Sequence, residues 1–366
     1  MNTKIIASVI LIAIFSFGIG ASTNLETVKQ IIYDSPNQQD LQPSNFMEKN
    51  EISKLVDIHS IQDISDKRSF LIQYLWNDDK LPQKMPEIIK ENFKDNSLNK
   101  IQNLKQITKL ENISEFSINS ISYLFIPENS NNKLIIYHHG HDGDFVKGLD
   151  TIEYLLSEQY SVLAFSMPLT GKNNQPIIEH EKLGKIKLTS HNHLSLLKST
   201  DFNPLKLFLE PINSSLNYVD SNYDFDSYSM IGISGGGWTT IVYSSIDERI
   251  SNSFPVAGSY PFFLRSDLRN FGDYEQSEIG LYSNVNYLEL YILGSFGNDR
   301  HQLQIFNKND PCCFSGTGFE YFDSLIQEKI NHIGPGNFEV YLDESHKEHK
   351  ISEKALELII KKLNQF

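Results

Sequence analysis

The sequence predicts an α/β fold, a mostly parallel sheet flanked by helices, with an N-terminal helical extension and an inserted cap. Three observations predict it. From Glu115 onward, apolar runs rich in β-branched and aromatic residues alternate with helix-like stretches. Several of those runs are continuous, as expected of strands covered on both faces. One of them ends at Ile233, and Ser234 with three glycines follows it directly into a helical pattern.

Composition limits the alternatives. The chain has 366 residues, 40% of them hydrophobic and 21% charged, with 20 Gly and 13 Pro. That apolar content fills a full-sized core and excludes disordered, collagen-like and low-complexity readings. Acidic side chains outnumber basic ones 46 to 32, for a formal charge of −14. Such a surface repels phosphate backbones, so nucleic acid is not expected as a partner. The two cysteines, Cys312 and Cys313, are adjacent and supply neither a disulfide framework nor a Cys-rich zinc site. They read as two buried thiols, with a strained vicinal disulfide as the alternative.

In chain order, residues 1–22 read as a signal peptide or an uncleaved N-terminal anchor. Lys4 gives a short positive region, and residues 5–20 carry no charge. That run falls just short of the roughly 20 residues that span a bilayer, which favours the signal peptide. The body of the protein is therefore expected to be secreted or extracytoplasmic, or tethered to the membrane. Residues 23–50, rich in Asn, Gln, Ser and Pro, read as a linker. Residues 51–114 read as a helical extension, with Leu71, Ile72, Leu75 and Trp76 at helical spacing and Pro82 and Pro86 ending it.

The catalytic domain is expected over 115–366. Its strands are predicted at 117–126, 133–137, 160–165, 228–233, 253–257, 303–306 and 338–342. Helices are predicted at 145–158, 194–216, 236–245, 319–330 and 352–363. Residues 259–300 are too long for an ordinary connection and read as a cap inserted over one end of the sheet. Within it, 272–276 (GDYEQ) reads equally as a substrate contact or a solvated loop.

The sharpest chemical signal is Gly232-Ile233-Ser234-Gly235-Gly236. A serine at a tight strand-to-helix turn needs glycine neighbours, because side chains there collide with adjacent strands. A hydroxyl is a poor nucleophile without a base and a group that orients the base. Asp310 follows an apolar strand in LQIFNKND and is the expected acid, with Asp299 the substitute. His349, just before the last predicted helix, is the expected base, with His346 the alternative. The run LIIYHHGHDGDF places a His-Gly pair after a strand, where the amide of His141 is positioned to join that of Gly235 around a developing oxyanion. A zinc reading of His138, His139, His141, Asp142 and Asp144 fails, because Gly143 and Phe145 stand where ligands are needed.

These motifs, in this chain order, resemble the α/β-hydrolase superfamily, and in particular secreted esterases and prolyl-oligopeptidase-like catalytic domains. The match runs from about residue 117 to the C-terminus, and the three successive glycines after Ser234 depart from the usual pattern. The resemblance implies a Ser234–His349–Asp310 triad, an oxyanion hole on His141 and Gly235, and no cofactor or metal. It implies a serine hydrolase for a carboxylic ester, acting on a small-molecule ester or short peptide. A serine peptidase and a catalytically silent binding module are the alternatives.

Overall fold

The structure, a computed structural model, describes residues 47–98, 101–265 and 270–365. The expected signal peptide or anchor, and the linker up to residue 46, lie outside the described residues.

The strands are β1 (Ile88–Lys90), β2 (Leu104–Ile113), β3 (Asn119–Pro127), β4 (Lys133–His138), β5 (Ser161–Phe165) and β6 (Ile177–His180). They continue as β7 (Gly184–Lys187), β8 (Ser227–Ile233), β9 (Ile250–Val256), β10 (His301–Asn307) and β11 (Asn337–Asp343). The longer helices are α1 (Ile61–Trp76), α2 (Leu149–Ser157), α3 (Lys206–Asn222), α4 (Gly235–Ile246), α5 (Tyr287–Ser295), α6 (Asp323–Ile333) and α7 (Glu353–Leu363). Nine strands make one sheet in the order β1-β2-β3-β5-β4-β8-β9-β10-β11, and β6 pairs with β7 in a separate ribbon. The links from β1 to β5 in that order are antiparallel, and those from β5 to β11 are parallel.

The continuous apolar strands are explained by period-two alternation between two cores. Leu134 and Ile136 of β4 pack into one core while Ile135 and Tyr137 pack into the other. The first core also receives α1, α3, α4, α5 and α6 through residues such as Leu71, Phe208, Trp238, Leu290 and Ile326. The second receives α2 and α7 through Ile152, Leu155, Ile359 and Leu363. Every residue of α4 is buried, so the helix that follows Ser234 lies at the centre of the molecule.

Two expectations change. Residues 51–114 are not a purely helical extension: β1 and β2 lie within them, and β2 pairs with β3 along nine residue positions. Only four of the ten positions of β2 are buried, so its sequence, LKQITKLENI, lacks the apolar run that marks most of the other strands. The 259–300 segment is not wholly a cap either. Its last helix, α5, is entirely buried and contributes Leu290 and Tyr291 to the same core as α4, in the place of an ordinary crossover between β9 and β10.

Candidate active site

Ser234 leaves β8 with φ 57° and ψ −123°, a conformation a non-glycine residue adopts only under constraint. The constraint is visible on both sides. The Ser234 amide donates to the carbonyl of Val256 on β9 (2.9 Å), and its carbonyl accepts from Trp238 inside α4 (2.9 Å). The three glycines after it each meet a close neighbour. A Cβ on Gly235 would lie 2.5 Å from Nδ1 of His141, one on Gly236 2.0 Å from the carbonyl of His138, and one on Gly237 2.8 Å from Gly258. The triple glycine therefore lets α4 enter between the ends of β4 and β9. Gly140 plays the same part from the opposite side, since its Cβ would sit 2.8 Å from that of Ser234.

Asp310 and His349 meet on the same sheet edge, two and three strands away. Nδ1 of His349 lies 2.7 Å from Oδ2 of Asp310, whose side chain is wholly buried. A carboxylate only accepts, so Nδ1 carries the proton and Nε2 presents its lone pair. That Nε2 is buried and has no hydrogen-bond partner among the described residues, and it makes no hydrogen bond to Ser234. The carboxylate is itself fixed: Oδ1 accepts from the Cys312 amide (2.8 Å) and Oδ2 from the Asn307 side chain (3.2 Å). Asn307 also donates to the carbonyl of Lys350 (3.0 Å), so one amide holds both the acid and the loop that carries the imidazole. Sequence reasoning missed Asn307, although its place at the end of a strand three residues before Asp310 was readable.

The alternatives fall elsewhere. His346 faces Asp343 (3.4 Å), which also accepts from Ser352, the N-cap of α7. Asp299 is exposed and precedes the amino end of β10, on the opposite edge from Asp310. Cys312 and Cys313 form a vicinal disulfide, in place of the two buried thiols expected, and both are only half-buried. They occupy the turn after Asp310, within 4.8 Å of the His349 ring nitrogen.

The HHGHDGD run does not gather into a metal site of its own. Nδ1 of His138 bonds the carbonyl of His139 (2.9 Å), and burial holds this imidazole down to about 4. Nε2 of His139 pairs with Asp142 (2.8 Å). His141 turns away to Glu275, its Nε2 lying 2.7 Å from Oε1. Glu275 comes from the short helix Tyr274–Ser277 in the inserted segment and is fully buried, so the GDYEQ stretch is not simply a solvated loop. Its Oε1 also faces Nδ1 of His191 (3.2 Å), at the start of the short helix His191–Leu194. Burial works against charge on both groups, but their mutual attraction outweighs it. His191 is held above its ordinary value, and Glu275, beside His191 and His141, well below the usual carboxylate range.

No protein-family model matches the chain, and no curated protein sequence is significantly similar to it. Solved structures are similar in fold. An acetyl xylan esterase from Paenibacillus sp. R4 aligns over 87% of this chain and 100% of its own, at 15% identity and a TM-score of 0.55. Acetyl xylan esterase 1 from Thermoanaerobacterium sp. JW/SL YS485 aligns over 86% of this chain and 97% of its own, at 13% identity and a TM-score of 0.54. The methylesterase BT1017 aligns over 87% of this chain and 66% of its own, at 14% identity and a TM-score of 0.56. With the strand order above, these likenesses give the chain the α/β-hydrolase fold.

Proposed function

We propose that the protein is a serine hydrolase of carboxylic esters, with Ser234 as nucleophile, His349 as base and Asp310 as the group that orients it. The observation that carries this reading is the Asp310–His349 hydrogen bond of 2.7 Å, with the unpartnered Nε2 of His349 on the edge where Ser234 leaves β8. The reading requires the Ser234 hydroxyl and the His349 imidazole to come into hydrogen-bond contact when substrate binds, as catalytic hydrogen bonds often tighten only in the complex.

The chemistry follows from the parts. Nε2 of His349 takes the hydroxyl proton while Ser234 Oγ forms a bond to the acyl carbon. Asp310 stabilises the imidazolium. Charge develops on the former carbonyl oxygen, for which the amides of Gly235 and His141 are the proposed donors. Gly235 opens α4, so no earlier carbonyl of the helix claims its amide. One such donor is worth on the order of 3 kcal/mol in the transition state. The imidazolium then protonates the departing alcohol, and a water deprotonated by His349 releases the acid.

Ester is preferred to peptide because the similar folds include proteins named as acetyl xylan esterases and a methylesterase. Acetyl and methyl esters are therefore the first substrates to test. Work outside the cytoplasmic membrane, with cleavage or anchoring at residues 1–22, belongs to the same proposal. A fluorophosphonate probe tests the nucleophile: it should label the wild type and fail to label Ser234→Ala. A folded, esterolytic wild type that escapes labelling would assign the chemistry to a different nucleophile, and a folded wild type that is neither labelled nor esterolytic would leave the silent binding module.

A further inference from the structure

We propose that His141, His191, Asp273 and Glu275 form a binding site for a divalent transition metal, zinc being the ion that suits the donors best. One ligand atom from each lies within 4.8 Å of all the others. Nε2 of His141 is 2.7 Å from Oε1 of Glu275 and 3.5 Å from Oδ2 of Asp273, and Nδ1 of His191 is 3.2 Å from Oε1 of Glu275. A tetrahedral ion with bonds of about 2.0–2.2 Å sets its ligands roughly 3.3–3.5 Å apart. Of these three separations the 2.7 Å one has to open and the 3.2 Å one nearly fits, while the 3.5 Å one already fits.

Two further observations point to a ligand. Glu275 is fully buried, yet its Oε2 has no hydrogen-bond partner among the described residues. A buried carboxylate left only partly satisfied is costly, and a cation held by the same carboxylate through Oε1 would neutralise its charge. The second is the orientation of His191. Its Nε2 faces the carbonyl of Pro168 at 2.9 Å, and a carbonyl only accepts, so Nε2 donates and Nδ1 is the nitrogen turned to the cluster. Metal-bound histidines characteristically give their other N–H to such a carbonyl, which fixes the ring for coordination.

The donors are also held by groups outside the cluster. The Tyr282 hydroxyl donates to the backbone carbonyl of Glu275 (2.7 Å), and Arg265 donates to that of Gln276 (3.1 Å). The Gln276 side chain in turn donates to the carbonyl of Gly258 (3.0 Å). Two carboxylates, two neutral imidazoles and a dication sum to zero charge. Imidazole nitrogen selects for zinc and its neighbours over calcium or magnesium, which take more oxygen ligands. The site does not depend on the proposed serine chemistry, although a bound ion would tie the loop bearing the His141 amide to the 273–276 segment.

The test is zinc binding by the full chain, with its disulfide intact, measured by equilibrium dialysis and metal analysis. The wild type should retain a single zinc per chain from micromolar zinc, at neutral pH and in excess magnesium. Glu275→Gln should weaken binding at least about tenfold, the range typical for loss of a metal-site partner. Asp273 is partly exposed, so Asp273→Ala keeps the fold and should weaken binding as well. Absence of bound zinc from the wild type would overturn the proposal. So would equal binding by both variants, or a loss that follows His349→Ala and so assigns the ion to the Cys312–Cys313–His349 group.

Discussion

His346 and His349 stand three positions apart on one loop, and each faces a different carboxylate, Asp343 for the first and Asp310 for the second. Only the second carboxylate belongs to the turn after β10. His349→Ala should lower kcat by a factor of 10²–10⁴, the usual worth of a positioned base, while His346→Ala leaves it within a few-fold. Asp310→Asn should be similarly severe, and Asp299→Asn silent. Steady-state kinetics on one activated ester checks all four variants. A second residue-scale prediction concerns His138, whose folded value is held down to about 4 by burial. The unfolded chain binds that proton from about pH 6.5 downward, so stability is fully present above that pH and is lost as pH falls from about 6.5 to 4. The full shift amounts to about 3 kcal/mol. Urea titrations across this range should show the slope in the wild type and a shallower one in His138→Gln. Ser234, Asp310 and His349 could be nominated from the sequence because each lies in the turn or loop after a strand, and the structure brings Asp310 and His349 together. Glu275 was not readable, because nothing local announces that a carboxylate in a polar stretch will be buried against two histidines from distant loops.

Asn307 shows what an element contributes that a motif does not. The end of β10 delivers its side chain to both Asp310 and the Lys350 carbonyl, which fixes the relation between two loops. Asn307→Ala should lower kcat by about 10- to 100-fold with little change in KM, because the imidazole loses its orientation rather than the substrate its contacts. A change confined to KM would mean that Asn307 acts on binding. The predicted strands of the catalytic region are all present; most are covered on both faces and read as unbroken apolar runs, whereas β11, at the sheet edge, is only partly buried. β1 and β2 were missed for the converse reason, since they are partly exposed and carry Lys, Gln and Glu between apolar positions. α5 was assigned to a cap because a helix buried on every side has no polar face to mark its period.

Across the whole molecule, α1 belongs to the main core rather than to an appendage. Leu71 and Leu75 pack into it, and Arg68 donates to the carbonyls of Ser245, Leu293 and Phe296 at the ends of α4 and α5 while pairing with Glu248. One guanidinium thus serves the last carbonyls of two helices, where a positive charge is also favoured by their dipoles. Arg68→Met should cost about 2–4 kcal/mol of folding stability and leave the specific activity of the remaining folded enzyme unchanged. Denaturant unfolding, followed beside the esterase rate, separates the two. Contacts that link residues 177 to 228 positions apart leave no local pattern, which is why composition alone could not assign this region.

Acid-quenched mass spectrometry during turnover of an acetyl ester addresses the covalent step. A Ser234 acyl-enzyme requires an acetyl group on the peptide that contains Ser234, present in the wild type, absent in Ser234→Ala, and forming far more slowly in His349→Ala. Continued turnover by Ser234→Ala, with no acyl mass on any wild-type peptide, would contradict it.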